Sequence, residues 1–298
     1  MEKRRFGKTE LLVSILGFGG AEIGFEEASE ENVERLLLEA IDAGLNVIDT
    51  AECYRDSEEL IGKTVAHRRS DFYLFTKCGH GEDYTVPAWT YEEITESIDR
   101  SLKRLRTDYV DLIQLHSCSE AILRQGDVIR ALKDAKQKGK ARFIGYSGDH
   151  TDAVYAITTG EFDAFQTSVN IADQACIEQT IPLAIERDMG VIAKRPIANA
   201  AWRFKERPGN SYYEDYWKRL GELKYDFING DASKAAEVAL KFTLSVPGVH
   251  TAIVGTKKPG RWKENANLLS AGLLSKQDFE AIRKRWQSTS RGDWVGQV

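Results

Sequence analysis

Short apolar runs alternate with amphipathic helical patterns along the whole chain. Val33, Leu36, Leu37, Ala40 and Ile41 recur at helical spacing between a candidate N-cap, Ser29, and a terminating Gly44. A continuous apolar run follows at 46–49, and others lie at 72–77, 109–115, 141–146, 163–167, 190–194 and 251–254. Between them the helical period returns. Thr90 and Glu93 form a capping box ahead of Ile94, Ile98, Leu102 and Leu105, and further helices are expected at about 121–138, 150–159, 175–188, 231–246 and 260–270. Residues 196–231 read as a polar, aromatic-rich stretch. Strands without polar alternation fit a parallel sheet buried on both faces. Counting from Ile15-Leu16 gives eight strands, and eight βα units in about 250 residues is the arithmetic of a (β/α)8 TIM barrel. The first dozen residues and a helix near 276–287 are additions to that plan.

At 298 residues, 42% hydrophobic and 29% charged, the chain suits one large α/β domain, and no low-complexity tract or linker divides 1–298 into two. A net charge of −5 and a pI near 5.7 leave no basic surplus for nucleic acid or an anionic membrane surface. No apolar stretch approaches the roughly 20 residues of a membrane helix, and Met1-Glu2-Lys3-Arg4-Arg5 lacks a signal-peptide core, so a cytoplasmic location is expected. The cysteines at 53, 78, 118 and 176 show no Cys-x-x-Cys pairing and no disulfide spacing. Three of them fall near Tyr54, Lys77 and His116, but free thiols are more often small buried hydrophobes than a redox or metal rim. The five scattered histidines do not point to a metal site either.

The chemistry lies at the strand ends. Asp49, Lys77 and His116 close three consecutive apolar runs, and Tyr54 follows Asp49 by five residues. Unpaired charges are too costly in buried strands, so these groups meet one another or a ligand at the mouth where the carboxyl ends converge. A phenol with an ordinary pKa near 10 gains as a general acid from a cation that stabilises its phenolate, which Lys77 can supply. Asp49 can keep that lysine charged. His116 can add a second donor to a carbonyl oxygen placed beside Tyr54, so the cluster suits carbonyl reduction. The plainer alternative is an Asp49–Lys77 bridge between strands with Tyr54 and His116 as polar rim residues; four such residues at consecutive strand ends weigh against it.

Hydride transfer needs a donor. Gly17-Phe18-Gly19-Gly20 lacks the full dinucleotide glycine spacing, precedes no clear helix and reads as a turn. Gly255-Thr256-Lys257-Lys258-Pro259-Gly260-Arg261 joins the last strand to a helix N-terminus, where exposed amides and three cations favour an anion. Those cations would suit an adenosine 2′-phosphate, so NADP(H) is expected over NAD(H).

Asp49-Thr50-Ala51-x-x-Tyr54, and Ser101-Leu102-Lys103-Arg104-Leu105 followed by Asp108-Tyr109-Val110-Asp111-Leu112 to His116, resemble motifs of the aldo-keto reductases. The resemblance implies that Tyr54 donates the proton, that Lys77 and Asp49 tune it, and that His116 orients the carbonyl. It places Ser147 and Gln166 on the nicotinamide amide, and Arg261, Glu264 and Asn265 at the adenosine end. Gly20, Asp49, Lys194, Arg195, Ile197, Gly255, Thr256 and Lys257 fall among its cofactor contacts, and an N-terminal hairpin closes the barrel bottom. This chain departs from the family at Gly148, where an Asn is common, and at Lys194, where an aromatic ring often stacks on the nicotinamide. Arg55 stands where a small or amide residue is usual and could receive a substrate carboxylate. Substrate selection is expected from loops 78–90 with Trp89, 196–231 with Trp202 and Trp217, and the tail with Trp294. The reading is an NADPH-dependent reductase of an aldehyde or ketone that works without metal. The alternatives are a cofactor-binding regulatory subunit with little turnover, and an isomerase or lyase that uses Lys77 as a Schiff base.

Overall fold

The computed structural model describes residues 1–80 and 87–297, so the part of the expected specificity loop at 81–86 lies outside the described residues. A hairpin of β1 (Lys3–Arg5) and β2 (Leu12–Ser14) precedes eight parallel strands. These are β3 (Leu16–Gly19), β4 (Val47–Asp49), β5 (Tyr73–Cys78), β6 (Val110–His116), β7 (Ala141–Ser147), β8 (Ala164–Ser168), β9 (Gly190–Lys194) and β10 (Thr251–Gly255). They close in sequence order, with β10 pairing both β9 and β3, which gives the expected (β/α)8 barrel. The expected C-terminal helix is present as Lys276–Thr289.

Two cores follow from strand alternation. Outward residues meet the surrounding helices, whereas Val47, Phe75, Leu112, Ala164, Ile192 and Ile253 point inward with Phe6, Leu11 and Val13 from the hairpin. Phe6 stacks on Phe75 at 5.7 Å between centroids and so plugs the amino end of the barrel. Two residues further along each strand the inward positions become Asp49, Lys77, Gln114, Gln166, Lys194 and Gly255. A polar layer therefore sits directly above an apolar one, and it faces the carboxyl-end mouth.

Ser29 caps the helix Glu30–Asp42 by accepting from Asn32 N, and all five expected apolar residues are buried. Thr90 likewise accepts from Glu93 N at 3.2 Å, but the Glu93 carboxylate accepts from Trp89 N rather than completing a capping box on Thr90. The expected helix 121–138 is two helices, Glu120–Leu123 and Asp127–Gln137, parted at Gly126 with φ +85°. The expected helix 175–188 divides into Cys176–Gln179 and Ile181–Glu186 because Pro182 can only start a helix, not continue one. Gly17-Phe18-Gly19 is not a turn: Gly17 and Gly19 lie in β3, and Gly20 opens a short helix, Ala21–Phe25. Two further helices, Ser57–Val65 and Ser211–Leu223, carry no expectation in the sequence pattern. Among the described residues no helix is long and apolar enough to cross a membrane, and all four cysteines are free.

Candidate active site

Asp49 and Lys77 form a buried ion pair across the mouth, each 1% exposed at the side chain. Lys77 Nζ also donates to the Thr50 carbonyl at 2.9 Å, and Gln114 Nε2 donates to the other Asp49 oxygen at 3.3 Å. Beyond β4 the chain turns tightly, with Thr50 N bonded to Phe75 O at 2.9 Å and Glu52 N bonded to Lys77 O at 3.1 Å. That turn brings the Tyr54 ring to 5.1 Å from Lys77 Nζ and into edge contact with His116, with centroids 5.8 Å apart at 80°. The structure thus brings together all four residues expected to carry the chemistry.

Burial opposes the Lys77 charge, but the Asp49 carboxylate outweighs it and holds the ammonium pKa above its ordinary value. For Tyr54 the balance differs from expectation. Burial pushes its phenol up, more strongly than Lys77 pulls it down. Tyr54 therefore rests protonated at neutral pH, as a proton donor must, and Lys77 acts by limiting the cost of the phenolate rather than by creating it beforehand. Burial, then the cations Lys77, Lys194 and Arg195 and the His80 ring, drive His116 well below the usual imidazole range. It is a neutral ring with one N–H to give.

Register brings the next residues into place. His116 on β6 pairs with Ser147 on β7, and Ser147 pairs with Gln166 on β8. The Ser147 hydroxyl and both amide atoms of Gln166 are buried without a hydrogen-bond partner of good geometry. Orphaned donors and acceptors are costly without a ligand, and a hydroxyl beside a carboxamide is the group set that a nicotinamide amide would satisfy. The chain's departure at Gly148 has a steric cause. A Cβ there would lie 2.7 Å from the Tyr146 ring, whose hydroxyl is fixed on Cys118 O at 2.7 Å. Gly148→Asn is expected to destabilise the fold by about 1–3 kcal/mol, read as a lowered Tm; an unchanged Tm would show that Tyr146 can yield. The departure at Lys194 is accommodated by Asp149, whose Oδ2 lies 2.9 Å from Lys194 Nζ while its Oδ1 accepts from Thr167 and Ser168 N. Burial raises Asp149, but Lys194 and these donors outweigh it and hold the carboxyl below its ordinary range.

At the far side of the mouth, Gly20 N bonds Asp49 O at 2.8 Å, and a Cβ on Gly20 would lie 2.6 Å from Ser57 Oγ, so a larger residue would have to shift that hydroxyl from Thr50 Oγ1. Gly255 ends β10 beneath the Glu22 carboxylate, a residue the sequence pattern did not single out; burial pushes that acid up to about 7. Thr256 Oγ1 caps Lys258 N at 3.1 Å. Lys257 pairs with Glu26 at 3.2 Å, and Arg261 with Glu264 at 2.9 Å. Asn265 lies half-buried on the same helix, Arg261–Leu268. Arg195, with φ +56°, and Ile197 follow β9, and the Arg195 carbonyl accepts from Asn170 Nδ2 at 3.0 Å.

Rings line the mouth in a row. Phe25 meets Tyr54 at 5.6 Å, His116 meets His80 at 5.5 Å, and His80 meets Trp89 at 5.1 Å. Arg55, with φ +48°, lays its guanidinium over Phe25 at 5.6 Å. Gln114, His80 and Asp149 complete the setting unannounced by motif. The two-residue alternation along β6 alone could have singled out Gln114 as an inward neighbour of His116.

Comparison with known proteins agrees with this geometry. The model of the Aldo/keto reductase family matches residues 15–287. An uncharacterized oxidoreductase of Bacillus subtilis (strain 168), YqkF, is 29% identical over 303 residues, covering 95% of this chain and 96% of the relative. L-galactose dehydrogenase of Arabidopsis thaliana is 28% identical, covering 89% of this chain and 87% of its own length. The solved holo form of aldo-keto reductase AKR11C1 from Bacillus halodurans superposes with a TM-score of 0.82 at 27% identity over 96% of each chain. The chain belongs to the aldo/keto reductase family and is an oxidoreductase that uses a nicotinamide cofactor.

Proposed function

We propose that this member of the family reduces an aldehyde or ketone to the alcohol with NADPH, the proton coming from Tyr54. The observation that carries the reading is the Tyr54 ring held against both His116 and the buried Lys77–Asp49 pair, next to the orphaned polar atoms of Ser147 and Gln166. When bound, the nicotinamide supplies the hydride, with its carboxamide held by Ser147 and Gln166. Tyr54 Oη and the His116 ring N–H converge on the carbonyl oxygen, where negative charge develops as the carbon is reduced. Tyr54 gives up its proton to that oxygen, and the phenolate is stabilised by Lys77 until solvent returns a proton. Asp49 keeps Lys77 charged throughout, which also disfavours the neutral amine that Schiff-base chemistry needs. Phe25, Trp89 and Arg55 form the substrate-facing rim, and the ion pairs of Lys257 and Arg261 lie on the adenosine side.

Fluorescence titration with NADPH and NADH, followed by absorbance assays across a panel of aldehydes and ketones, tests the reading. Carbonyl-dependent oxidation of NADPH supports it; tight binding without turnover across the panel replaces it with a regulatory role. The cofactor preference has its own variant. Arg261 is exposed, so its pair with Glu264 is weak and easily shared with a 2′-phosphate. Arg261→Ala is expected to weaken NADPH roughly tenfold and NADH hardly at all. Equal weakening of both would remove the 2′-phosphate assignment.

A further inference from the structure

Cys53 Sγ lies 3.4 Å from His116 Nδ1 across a sequence separation of 63 residues. Cys53 immediately precedes Tyr54 in the turn after β4, so one short segment touches the site twice: through the Tyr54 ring on the edge of His116, and through the thiol on its Nδ1. We propose that Cys53 is a positioning residue: its S–H donates to His116 Nδ1 and fixes the tautomer with the proton on Nε2, the nitrogen left to meet the substrate oxygen. This deepens the reading above and rests on His116 as the second donor to the carbonyl.

The direction of the bond follows from the chemistry of the two groups. A neutral thiol facing a neutral imidazole can either donate to a bare nitrogen or accept from an N–H. An imidazole nitrogen is a strong acceptor and thiol sulfur a weak one, so the S–H···N arrangement prevails. Both groups are neutral at the relevant pH. Burial pushes the Cys53 thiol up to about 11, and the same burial, reinforced by Lys77, Lys194 and Arg195, keeps a proton off His116. His80, whose ring meets that of His116 in edge contact at 5.5 Å between centroids, bonds the His116 backbone. A His116 ring with Nδ1 protonated would present a bare nitrogen to the carbonyl oxygen, two lone pairs facing each other, and would repel the substrate it should orient.

Imidazole 15N shifts of the cofactor-free protein near neutral pH, with the His116 signals identified by their loss in His116→Asn, read the tautomer directly. The wild type is expected to show Nε2–H alone and Cys53→Ala a mixture of both tautomers, with Cys53→Ser restoring the single form. In the carbonyl assay Cys53→Ala is expected to lower kcat about three- to tenfold with NADPH affinity unchanged, and Cys53→Ser to recover most of it. A proton on Nδ1 in the wild type, or an undisturbed Nε2–H form in Cys53→Ala, overturns the proposal. A tautomer shift in Cys53→Ala with unchanged kcat upholds the Cys53 assignment and instead removes His116 from the reaction.

Discussion

Replacing Tyr54 with phenylalanine is expected to lower kcat by roughly 10²–10⁴-fold while leaving NADPH affinity within a factor of about two. The ring contacts with Phe25, Lys77 and His116 belong to the aromatic face and edge, which phenylalanine keeps, so the mouth retains its shape. Only the hydroxyl is lost. Because burial keeps that hydroxyl protonated in the resting site, its removal takes away the proton to be transferred and leaves water as the next donor. Steady-state kinetics beside a fluorescence titration separate the two effects. A parallel loss of cofactor affinity would mean that Tyr54 holds the structure of the site rather than its chemistry; unchanged kcat would place the proton elsewhere.

The four residues proposed for that chemistry are legible in the sequence for a physical reason. In a strand buried on both faces a charge can survive only at an end where it meets a partner, so Asp49, Lys77 and His116 at the ends of three consecutive apolar runs already point to one cluster. Gln114 is less legible because an uncharged amide in the same inward register carries no such penalty signal, although it holds the second oxygen of Asp49. The Cys53–His116 contact is invisible in sequence, since nothing local relates residues that far apart.

The helices missed by periodicity are those shaped by distant packing. Ser57–Val65 contains Gly62, a residue that argues against a helix on propensity; it is needed because a Cβ there would lie 2.8 Å from the Leu105 carbonyl carbon of the neighbouring helix. Ser211–Leu223 buries Tyr216 and Arg219 along with Leu220 and Leu223, so half of its inner face reads as surface. Arg219 is buried because Asp173 lies 3.8 Å away and the Ala172 and Val295 carbonyls accept from it, partners that come from β8's following loop and from the tail. Charge hidden by tertiary pairing erases the apolar stripe on which a helix is recognised.

The Lys77–Asp49 pair carries the second large effect, on stability as well as rate. Lys77→Met is expected to destabilise the fold by about 3–5 kcal/mol at neutral pH, a fall in Tm on the order of 10 °C, and to reduce turnover at least as far as Tyr54→Phe. The thioether fills much of the lysine's volume, so the loss comes from the carboxylate left buried without its ammonium while Gln114 still donates to it. Burial already pushes Asp49 upward against the pull of Lys77, and without the lysine the largest opposing pull is gone. An acid with a raised folded pKa binds its proton more tightly folded than unfolded. Its stabilising effect is thus present below the unfolded pKa of about 4 and is lost as pH rises through the folded value. The deficit of Lys77→Met relative to the wild type should therefore shrink as pH falls from 7 toward about 4. Asp49→Asn combined with Lys77→Met should recover much of the neutral-pH loss, since neither position then buries a charge, while turnover stays as low as in Lys77→Met because Lys77 no longer offsets the Tyr54 phenolate. Thermal unfolding of both variants across that pH range decides the point. A pH-independent deficit, or a double variant no more stable than Lys77→Met, would show that the pair's contribution lies in packing and not in the compensation of a buried charge.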